Sequence, residues 1–302
     1  MDLFTLSIAL ARKYLRGLRK IHVIVDYEDE VPAEIKAMRD VHIVLSKDIY
    51  PSTTLDRWPY FSAYTKEDYM QRIPGLTEAF VFLNDDMLIT RPVERTQFFT
   101  EDGDVRWLTG YEAKDESWGH FFRGLLKGAQ GGPTSRRYTY RAACGGCGAC
   151  ERELEHDRYY PSHAPRPFLK SYLAEMERRH PEAFLSVFST RFRCKDCLTT
   201  VPLMLVPASG YLDIEMPGAV GGSATVEEGA ESLQGPRSVR VVTEPAKKHA
   251  LLGYFNGVDG VKDFEHKWAQ YPFVTVQEAS AENHAGIEAY IRSRLAERQP
   301  ER

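Results

Sequence analysis

Two adjacent carboxylates follow an apolar run near the middle of the N-terminal half of the chain. The run AFVFL (79–83) leads directly into Asn84, Asp85 and Asp86. Carboxylate and amide oxygens suit hard cations such as Mg²⁺ or Mn²⁺, which often join one or two carboxylates to phosphate oxygens. The spacing therefore predicts a site for a nucleotide phosphate and its metal. The alternative is a simple turn, because Asp and Asn also favour turns after strands for local reasons.

The five cysteines form two short clusters, CGGCGAC (144–150) and CKDC (194–197). Two C-x2-C pairs supply the four thiolates of a tetrahedral structural Zn²⁺ site, and an odd count in a reducing compartment argues against a disulfide framework. The expected ligands are Cys144, Cys147, Cys194 and Cys197, with Cys150 competing. An iron–sulfur cluster or free buried thiols are the alternatives.

Apolar runs separated by helical segments predict an α/β fold. Strands are expected at residues 21–25, 41–45, 79–83 and 273–276, and helices at about 3–18, 167–179 and 281–298. This order predicts a Rossmann-like, glycosyltransferase-A-like sheet of mostly parallel strands with helices on both faces. Ligands of such folds bind beyond the carboxyl ends of the strands, where Asp26 and Asp85 are expected.

The 302 residues predict a single α/β domain, with two departures from the regular pattern. Residues 103–161 loosen into glycine-rich, basic sequence that carries the first cysteine cluster, which predicts an insertion or lid. Residues 216–236 are rich in Gly, Ser and Glu, which predicts a mobile loop.

Composition excludes several classes of protein. Lys and Arg number 39 against 43 Asp and Glu, so the chain lacks the positive charge of a general nucleic-acid binder. No apolar stretch is long enough to cross a bilayer, and residues 3–10 lack the flanks of a signal peptide. The expected location is the cytoplasm, either free or peripheral at the inner membrane face.

The residues around the two carboxylates form a longer pattern. RIPGL (72–76), FVFLNDDM (80–87) and RPV (91–93) resemble the second signature block of the Stealth family. These proteins are sugar-phosphate transferases of bacterial capsule synthesis, related to the animal N-acetylglucosamine-1-phosphotransferase. Residues 2–14 and 21–26 resemble the segment that precedes this block.

Two further segments extend the resemblance over most of residues 2–212. Pro59, Phe61 and Glu67 fit the family's lead-in "LPTFNS…E", although Ser62 stands where the family has Asn. His163, followed by Ala-Pro, and TRFR (190–193) with its following Asp resemble the third block.

The resemblance implies transfer of a hexose-1-phosphate, for example N-acetylglucosamine-1-phosphate, from a nucleotide-sugar to a saccharide hydroxyl. The nucleoside monophosphate is released, with Mg²⁺ or Mn²⁺ as cofactor. By position, His163 would be the general base, Asp85 would bind the donor or its metal, and Arg193 would neutralise the phosphates with its bidentate fork. The alternatives are a loop or capping role for His163 and an ion pair between Arg193 and Asp196.

The resemblance also implies residues that hold the nucleotide-sugar and its metal. Asn84 and Asp86 would lie beside the donor, and Glu67 and Arg72 would contact the nucleotide-sugar. Glu67 lies in a polar stretch, so a solvated helix face is the alternative for it.

The sequence departs from the family pattern at two places. The family's first block, roughly "IDVVYTWVDGSD", would precede residue 2, which implies a misassigned start or a partly lost donor site. In the last block, Gln277 and Glu278 replace Asn-Asp, and Glu278 is a candidate Mg²⁺ ligand. The alternatives to a sugar-phosphate transferase are therefore a metal-dependent glycosyltransferase and an inactive, zinc-stabilised binding module.

Overall fold

The structure is a computed structural model that describes residues 3–109, 163–179, 181–192, 215–216, 237–238, 241–245, 252–256, 260–277 and 281–297. The strands are β1 (Ile21–Val25), β2 (Val41–Leu45), β3 (Ala79–Phe82), β4 (Met87–Ile89), β5 (Val105–Thr109), β6 (Arg166–Leu169), β7 (Glu215–Met216), β8 (Arg237–Ser238), β9 (Val241–Pro245), β10 (Leu252–Asn256) and β11 (Phe273–Gln277). The helices are α1 (Leu3–Tyr14), α2 (Ala33–Lys36), α3 (Ser46–Ile49), α4 (Ala63–Glu67), α5 (Lys170–Arg179), α6 (Pro181–Ser186), α7 (Val261–Gln270) and α8 (Ala281–Ala296). Short 3₁₀ helices span Glu28–Glu30, Ser52–Arg57, Met70–Arg72 and Arg95–Gln97.

The strands combine parallel and antiparallel pairing. Parallel pairs join β1 to β2, β5 to β9 and β10 to β11. Antiparallel pairs join β3 to β6, β4 to β11 and β7 to β8. The mixed α/β class is confirmed, but the described strands do not form a mostly parallel sheet. A parallel crossover needs a dozen or more residues, so the four residues between β3 and β4 cannot join them as the parallel pair of a Rossmann-like sheet.

The first parallel pair shows why its residues become strands. β1 (IHVIV) and β2 (VHIVL) are rich in β-branched residues and pair in register from Ile21 against Val41. Ile35 of the intervening α2 is fully buried in a small cluster with Val23. The two strands end together, which brings Asp26 and Ser46 to the same edge.

Helix α1 is amphipathic, as its spacing predicts, and it packs against β4 and α8. Leu6 and Leu10 are fully buried, and the Ser7 hydroxyl donates a hydrogen bond of 2.9 Å to the Met87 carbonyl. The Lys13 ammonium donates to carbonyl oxygens at the end of α8, at distances of 2.6 to 3.1 Å. A cation at this end of a helix is favourable, because the carbonyls there carry partial negative charge.

The helix expected at residues 167–179 begins later than predicted. Residues Arg166–Leu169 form β6, and the helix spans Lys170–Arg179. Phe168 is fully buried, stacks on Phe80 at 5.6 Å and meets Trp107 edge to face at 5.4 Å. Pairing with β3 and this aromatic burial favour a strand, although the local sequence permits a helix.

Part of the predicted insertion belongs to the core. Residues Val105–Thr109 form β5, and Trp107 is buried. The rest of the predicted lid, residues 110–161, lies outside the described residues, as do residues 217–236 of the predicted loop. Within the part of the chain that the structure describes, no helix is long and apolar enough to span a bilayer.

Candidate active site

A tight turn between β3 and β4 carries Asn84, Asp85 and Asp86. The Met87 amide donates to the Asn84 carbonyl at 3.1 Å, which closes the turn. The Asp86 carbonyl accepts a hydrogen bond of 3.0 Å from the Val276 amide of β11, so this strand holds the turn from the side. Asp85 is exposed, while Asn84 and Asp86 are half-buried.

Asp86 meets His163, the residue that the third block supplies. His163 Nε2 lies 2.8 Å from Asp86 Oδ2, across 77 positions of sequence. The contact follows from the pairing of β3 with β6, because His163 lies just before β6 and Asp86 just after β3. The His163 side chain is 32% exposed to solvent, and the Asp86 side chain is 26% exposed. A carboxylate in this place orients an imidazole and stabilises its protonated form.

The backbone of His163 is fixed by a residue that the sequence analysis does not single out. The Thr275 hydroxyl, on the buried strand β11, donates a hydrogen bond of 2.6 Å to the His163 carbonyl. The same strand binds the Asp86 carbonyl through Val276. β11 therefore holds both members of the pair. The polar Thr275 within the apolar run FVTV is the sequence signal for this role.

Glu67 is buried and paired with Arg166. Its carboxylate oxygens each lie 3.2 Å from a terminal nitrogen of the Arg166 guanidinium. The Glu67 side chain is 6% exposed and that of Arg166 is 12% exposed, which excludes the alternative of a solvated helix face for Glu67. Arg166 is not among the predicted site residues, and its signal in the sequence is a basic residue three positions after His163.

The neighbour of Glu67 on α4 is anchored to the first parallel pair. The Lys66 ammonium lies 2.8 Å from Asp26 Oδ2, and the Ser46 hydroxyl donates to Asp26 Oδ1 at 2.5 Å. Asp26 is buried at the strand edge where the sequence places it, but its oxygens are used to hold α4. Consecutive residues of one short helix are thus fixed by two separate ion pairs.

Aromatic residues that stay uncharged pack beside α4. The hydroxyls of Tyr50 and Thr65 lie 2.9 Å apart, and the Tyr50 ring meets Tyr69 edge to face at 6.2 Å. Burial raises the pKa of both Tyr50 and Tyr69 above the ordinary value of 10.0. Both phenols therefore stay uncharged at neutral pH.

One carboxylate oxygen at the site has no hydrogen-bond partner in the part of the chain that the structure describes. Asp86 Oδ1 is buried and makes no hydrogen bond within the described residues. A buried carboxylate oxygen of this kind is suited to a hard cation. Among the described residues, no three His, Cys, Asp or Glu side chains converge as a complete protein-made metal site.

The first third of the chain matches a known protein family. Residues 1–107 match the family described as Stealth protein CR2, conserved region 2. This part of the chain carries conserved region 2 of the Stealth family. The matched region contains Glu67 and the Asn84 to Asp86 turn, whereas His163 and Arg166 lie beyond it.

Several proteins similar to this chain are polysaccharide phosphotransferases by name. An exopolysaccharide phosphotransferase of Streptomyces coelicolor is 28% identical over 221 residues, which are 71% of this chain and 37% of that protein. The receptor polysaccharide phosphotransferase WefC of Streptococcus oralis is 38% identical over 97 residues, covering 32% of this chain and 28% of WefC. The capsular polysaccharide phosphotransferase WcwK of Streptococcus pneumoniae is 56% identical over 54 residues, covering 18% of this chain and 16% of WcwK. The chain thus spans well under half the length of each of these relatives.

Arg72 of the Stealth motif has a partner away from the His163 and Asp86 pair. Its guanidinium lies 2.5 Å from Glu177 Oε1 of α5 and packs over the Tyr69 ring at 5.0 Å. Gln71 donates to the other oxygen of Glu177 at 2.9 Å. Arg72 therefore joins the 3₁₀ turn before β3 to α5, and its predicted contact with the nucleotide-sugar stays a prediction.

Several predicted site residues lie outside the described residues. They are Arg193, Glu278 and the cysteines Cys144, Cys147, Cys150, Cys194 and Cys197. The described backbone ends one residue before Arg193 and, at β11, with Gln277. The roles predicted for them are neither confirmed nor contradicted.

Proposed function

We propose that this chain transfers a sugar-1-phosphate, such as N-acetylglucosamine-1-phosphate, from a nucleotide-sugar to a saccharide hydroxyl during cell-surface polysaccharide synthesis. The contact between His163 and Asp86 carries the proposal, because it joins an acid–base group to the turn that carries Asn84, Asp85 and Asp86. The names of the relatives support a phosphotransferase. The partners are the donor and the acceptor, without nucleic acid, and the location is the cytoplasm or the inner membrane face.

In the proposed reaction, an acceptor hydroxyl oxygen attacks the β-phosphorus of the nucleotide-sugar. The new P–O bond replaces the bond to the bridging oxygen of the nucleotide, so the nucleoside monophosphate leaves. His163 accepts the hydroxyl proton, and Asp86 stabilises the imidazolium that forms. Arg193 neutralises phosphate charge, and Glu67 accepts hydrogen bonds from the donor sugar. Positioning and charge stabilisation supply most of the rate in phosphoryl transfer.

A divalent cation fits this reading of the site. Asp85 and Asp86 would hold Mg²⁺ or Mn²⁺, with Glu278 as a further candidate. Asp86 Oδ1, which has no hydrogen-bond partner among the described residues, would be one ligand atom. Mg²⁺ is usually bound by one or two carboxylates together with substrate phosphates, so a complete protein cage is not required. When bound, the ion would screen the charge of the donor diphosphate.

We also propose that the strands belong to a Rossmann-like, glycosyltransferase-A-like fold. A Rossmann-like, glycosyltransferase-A-like arrangement places ligands beyond the carboxyl ends of parallel strands. The β1 and β2 pair ends at Asp26 and Ser46, and these residues hold α4 through Lys66. This supports a donor site at the edge where β1 and β2 end.

The test is identification of the released nucleotide. The full chain is incubated with Mg²⁺, a panel of UDP-, GDP- and CMP-sugars and mixed oligosaccharide acceptors, beside Asp85→Asn. The matched control is Asp40→Asn, since Asp40 is a partly exposed carboxylate paired with Arg12 far along the sequence from the turn.

Each outcome distinguishes one function. UMP from a UDP-sugar, lost in Asp85→Asn and kept in Asp40→Asn, supports the proposed transfer. UDP would mean attack at the sugar carbon, which is glycosyl transfer. No turnover and no nucleotide-sugar binding would indicate a binding module and would overturn the proposal.

A further inference from the structure

We propose that Arg166 is a positioning residue that fixes the Glu67 carboxylate for the donor sugar, and that this pair determines affinity for the sugar part of the nucleotide-sugar. The inference rests on the proposed function. It starts from a buried ion pair that joins two segments 99 positions apart in sequence.

The geometry leaves the Glu67 carboxylate little freedom. Two terminal nitrogens of Arg166 contact the two carboxylate oxygens, each at 3.2 Å. The guanidinium also lies over the Phe82 ring at 4.8 Å, which fixes its plane. A fork-shaped contact of this kind sets the orientation of a carboxylate, whereas a lysine ammonium acts as a point charge.

Stability alone does not account for this pair. Taking two charges out of water costs free energy that their attraction often fails to recover, so a buried ion pair is weak evidence for a stabilising role. Arg166 Nε is buried and has no hydrogen-bond partner among the described residues, so the pair is also incompletely satisfied. A polar arrangement that costs stability in this way is expected where a site needs a fixed group.

The neighbours of the pair connect it to the rest of the site. Arg166 begins β6, three residues after His163, and its register partner Phe82 ends β3 just before the Asp86 turn. On the other side, Lys66 holds α4 to Asp26. Arg166 therefore links Glu67 to both segments of the His163 and Asp86 pair.

The chemistry of the pair indicates which part of the donor it serves. An ionised carboxylate only accepts hydrogen bonds, and a pyranose ring offers hydroxyl or acetamido donors in fixed directions. A phosphate offers no such donors at neutral pH and would be repelled by Glu67. The pair therefore suits the sugar of the nucleotide-sugar, not its diphosphate.

The experiment compares Arg166→Lys with wild type in the full chain, using UDP-N-acetylglucosamine and bare UDP. Loss of the fork is expected to raise KM for the sugar donor about tenfold to a hundredfold, the range of a lost hydrogen bond to a charged group. The Kd of UDP is expected to stay unchanged, because UDP has no sugar to meet Glu67. Arg12→Lys is the matched control, since Arg12 also pairs with a carboxylate but lies on the exposed face of α1.

The outcomes separate this inference from the proposed function. An unchanged KM of Arg166→Lys for the sugar donor overturns the positioning role. If wild type still releases UMP, the proposed function is retained in that case. An equal loss of affinity for UDP also overturns it, because Arg166 would then contact the diphosphate. A wild-type chain that binds no nucleotide-sugar overturns both. If Arg166→Lys fails to fold, Glu67→Gln is measured instead, with the same rise in KM and the same unchanged Kd for UDP expected.

Discussion

His163 Nε2 and Asp86 Oδ2 lie 2.8 Å apart and join the two segments on which the proposed chemistry depends. Neither residue is fixed by its own neighbours in sequence alone. β11 holds both, through the Thr275 hydroxyl and the Val276 amide. The site is therefore built at the meeting of β3, β6 and β11, so changes in β11 are expected to affect chemistry as well as stability.

Replacement of Asp86 by Asn is expected to lower kcat by about 10²- to 10⁴-fold, because an amide cannot stabilise the imidazolium of His163. A smaller change is expected in the KM of the donor. The measurement is steady-state release of the nucleoside monophosphate over a range of donor and Mg²⁺ concentrations. Asp40→Asn should keep the wild-type kcat, and a wild-type kcat in Asp86→Asn would contradict the assigned role.

Replacement of Thr275 by Val is expected to lower the free energy of unfolding by about 1 to 2 kcal/mol, because the shape is kept while the hydrogen bond to the His163 carbonyl is lost. We also expect kcat to fall, because His163 is less firmly held. Urea denaturation and turnover measure the two effects. Thr275→Ser keeps the hydroxyl and should retain most of kcat, although loss of the buried methyl group costs about 1 kcal/mol of stability. An equal fall of kcat in the Val and Ser variants would show that the hydrogen bond is not responsible.

Replacement of Gly286 by Ala is expected to destabilise the protein, although Ala favours helices. A Cβ at this position of α8 would lie 2.4 Å from Cγ2 of Val261 in α7. Such overpacking costs about 1 to 3 kcal/mol, which exceeds the gain of up to about 1 kcal/mol in helix propensity. Thermal and urea unfolding measure the result. Adding Val261→Ala should recover stability, and its failure to do so would place the cause elsewhere.

Acidification is expected to destabilise the protein through His22. Burial, followed by the nearby His42, Lys20 and Lys170, lowers the pKa of His22 below the ordinary 6.5. The unfolded chain then binds more protons than the folded one, so the free energy of unfolding falls as pH drops below about 6.5 towards the folded pKa. The measurement is urea denaturation at a series of pH values. His22→Gln should weaken this dependence, whereas His266→Gln, at an exposed histidine of α7, should leave it as it is.

Purified protein is expected to contain about one equivalent of zinc, because two C-x2-C pairs supply four thiolates. These cysteines lie outside the described residues, so this is a prediction from spacing. Metal analysis and melting temperature are the measurements. Cys144→Ser with Cys194→Ser should remove the zinc and lower the melting temperature, while Cys150→Ser should keep both. Protein without zinc, and with an unchanged melting temperature in the double variant, would exclude the site.

Local patterns determine much of the fold. The β-branched runs at 21–25 and 41–45 and the apolar periodicity of residues 3–18 predict β1, β2 and α1, because strand composition and helical spacing depend on near neighbours. Helix α1 nevertheless ends at Tyr14, four residues earlier than this periodicity predicts. The Asn84 to Asp86 turn is likewise a local feature. The Stealth motifs indicate His163, Asp86 and Glu67 as site residues without showing which of them touch.

Tertiary structure decides how these segments pair and which of their residues are buried. Residues Arg166–Leu169 form a strand because they pair with β3 and Phe168 packs in the aromatic core, although the local pattern favours a helix. Glu67 lies in a polar stretch but is buried, because Arg166 reaches it from 99 positions away. Burial and pairing over such separations depend on the packing of whole elements, and no local pattern of residues encodes them.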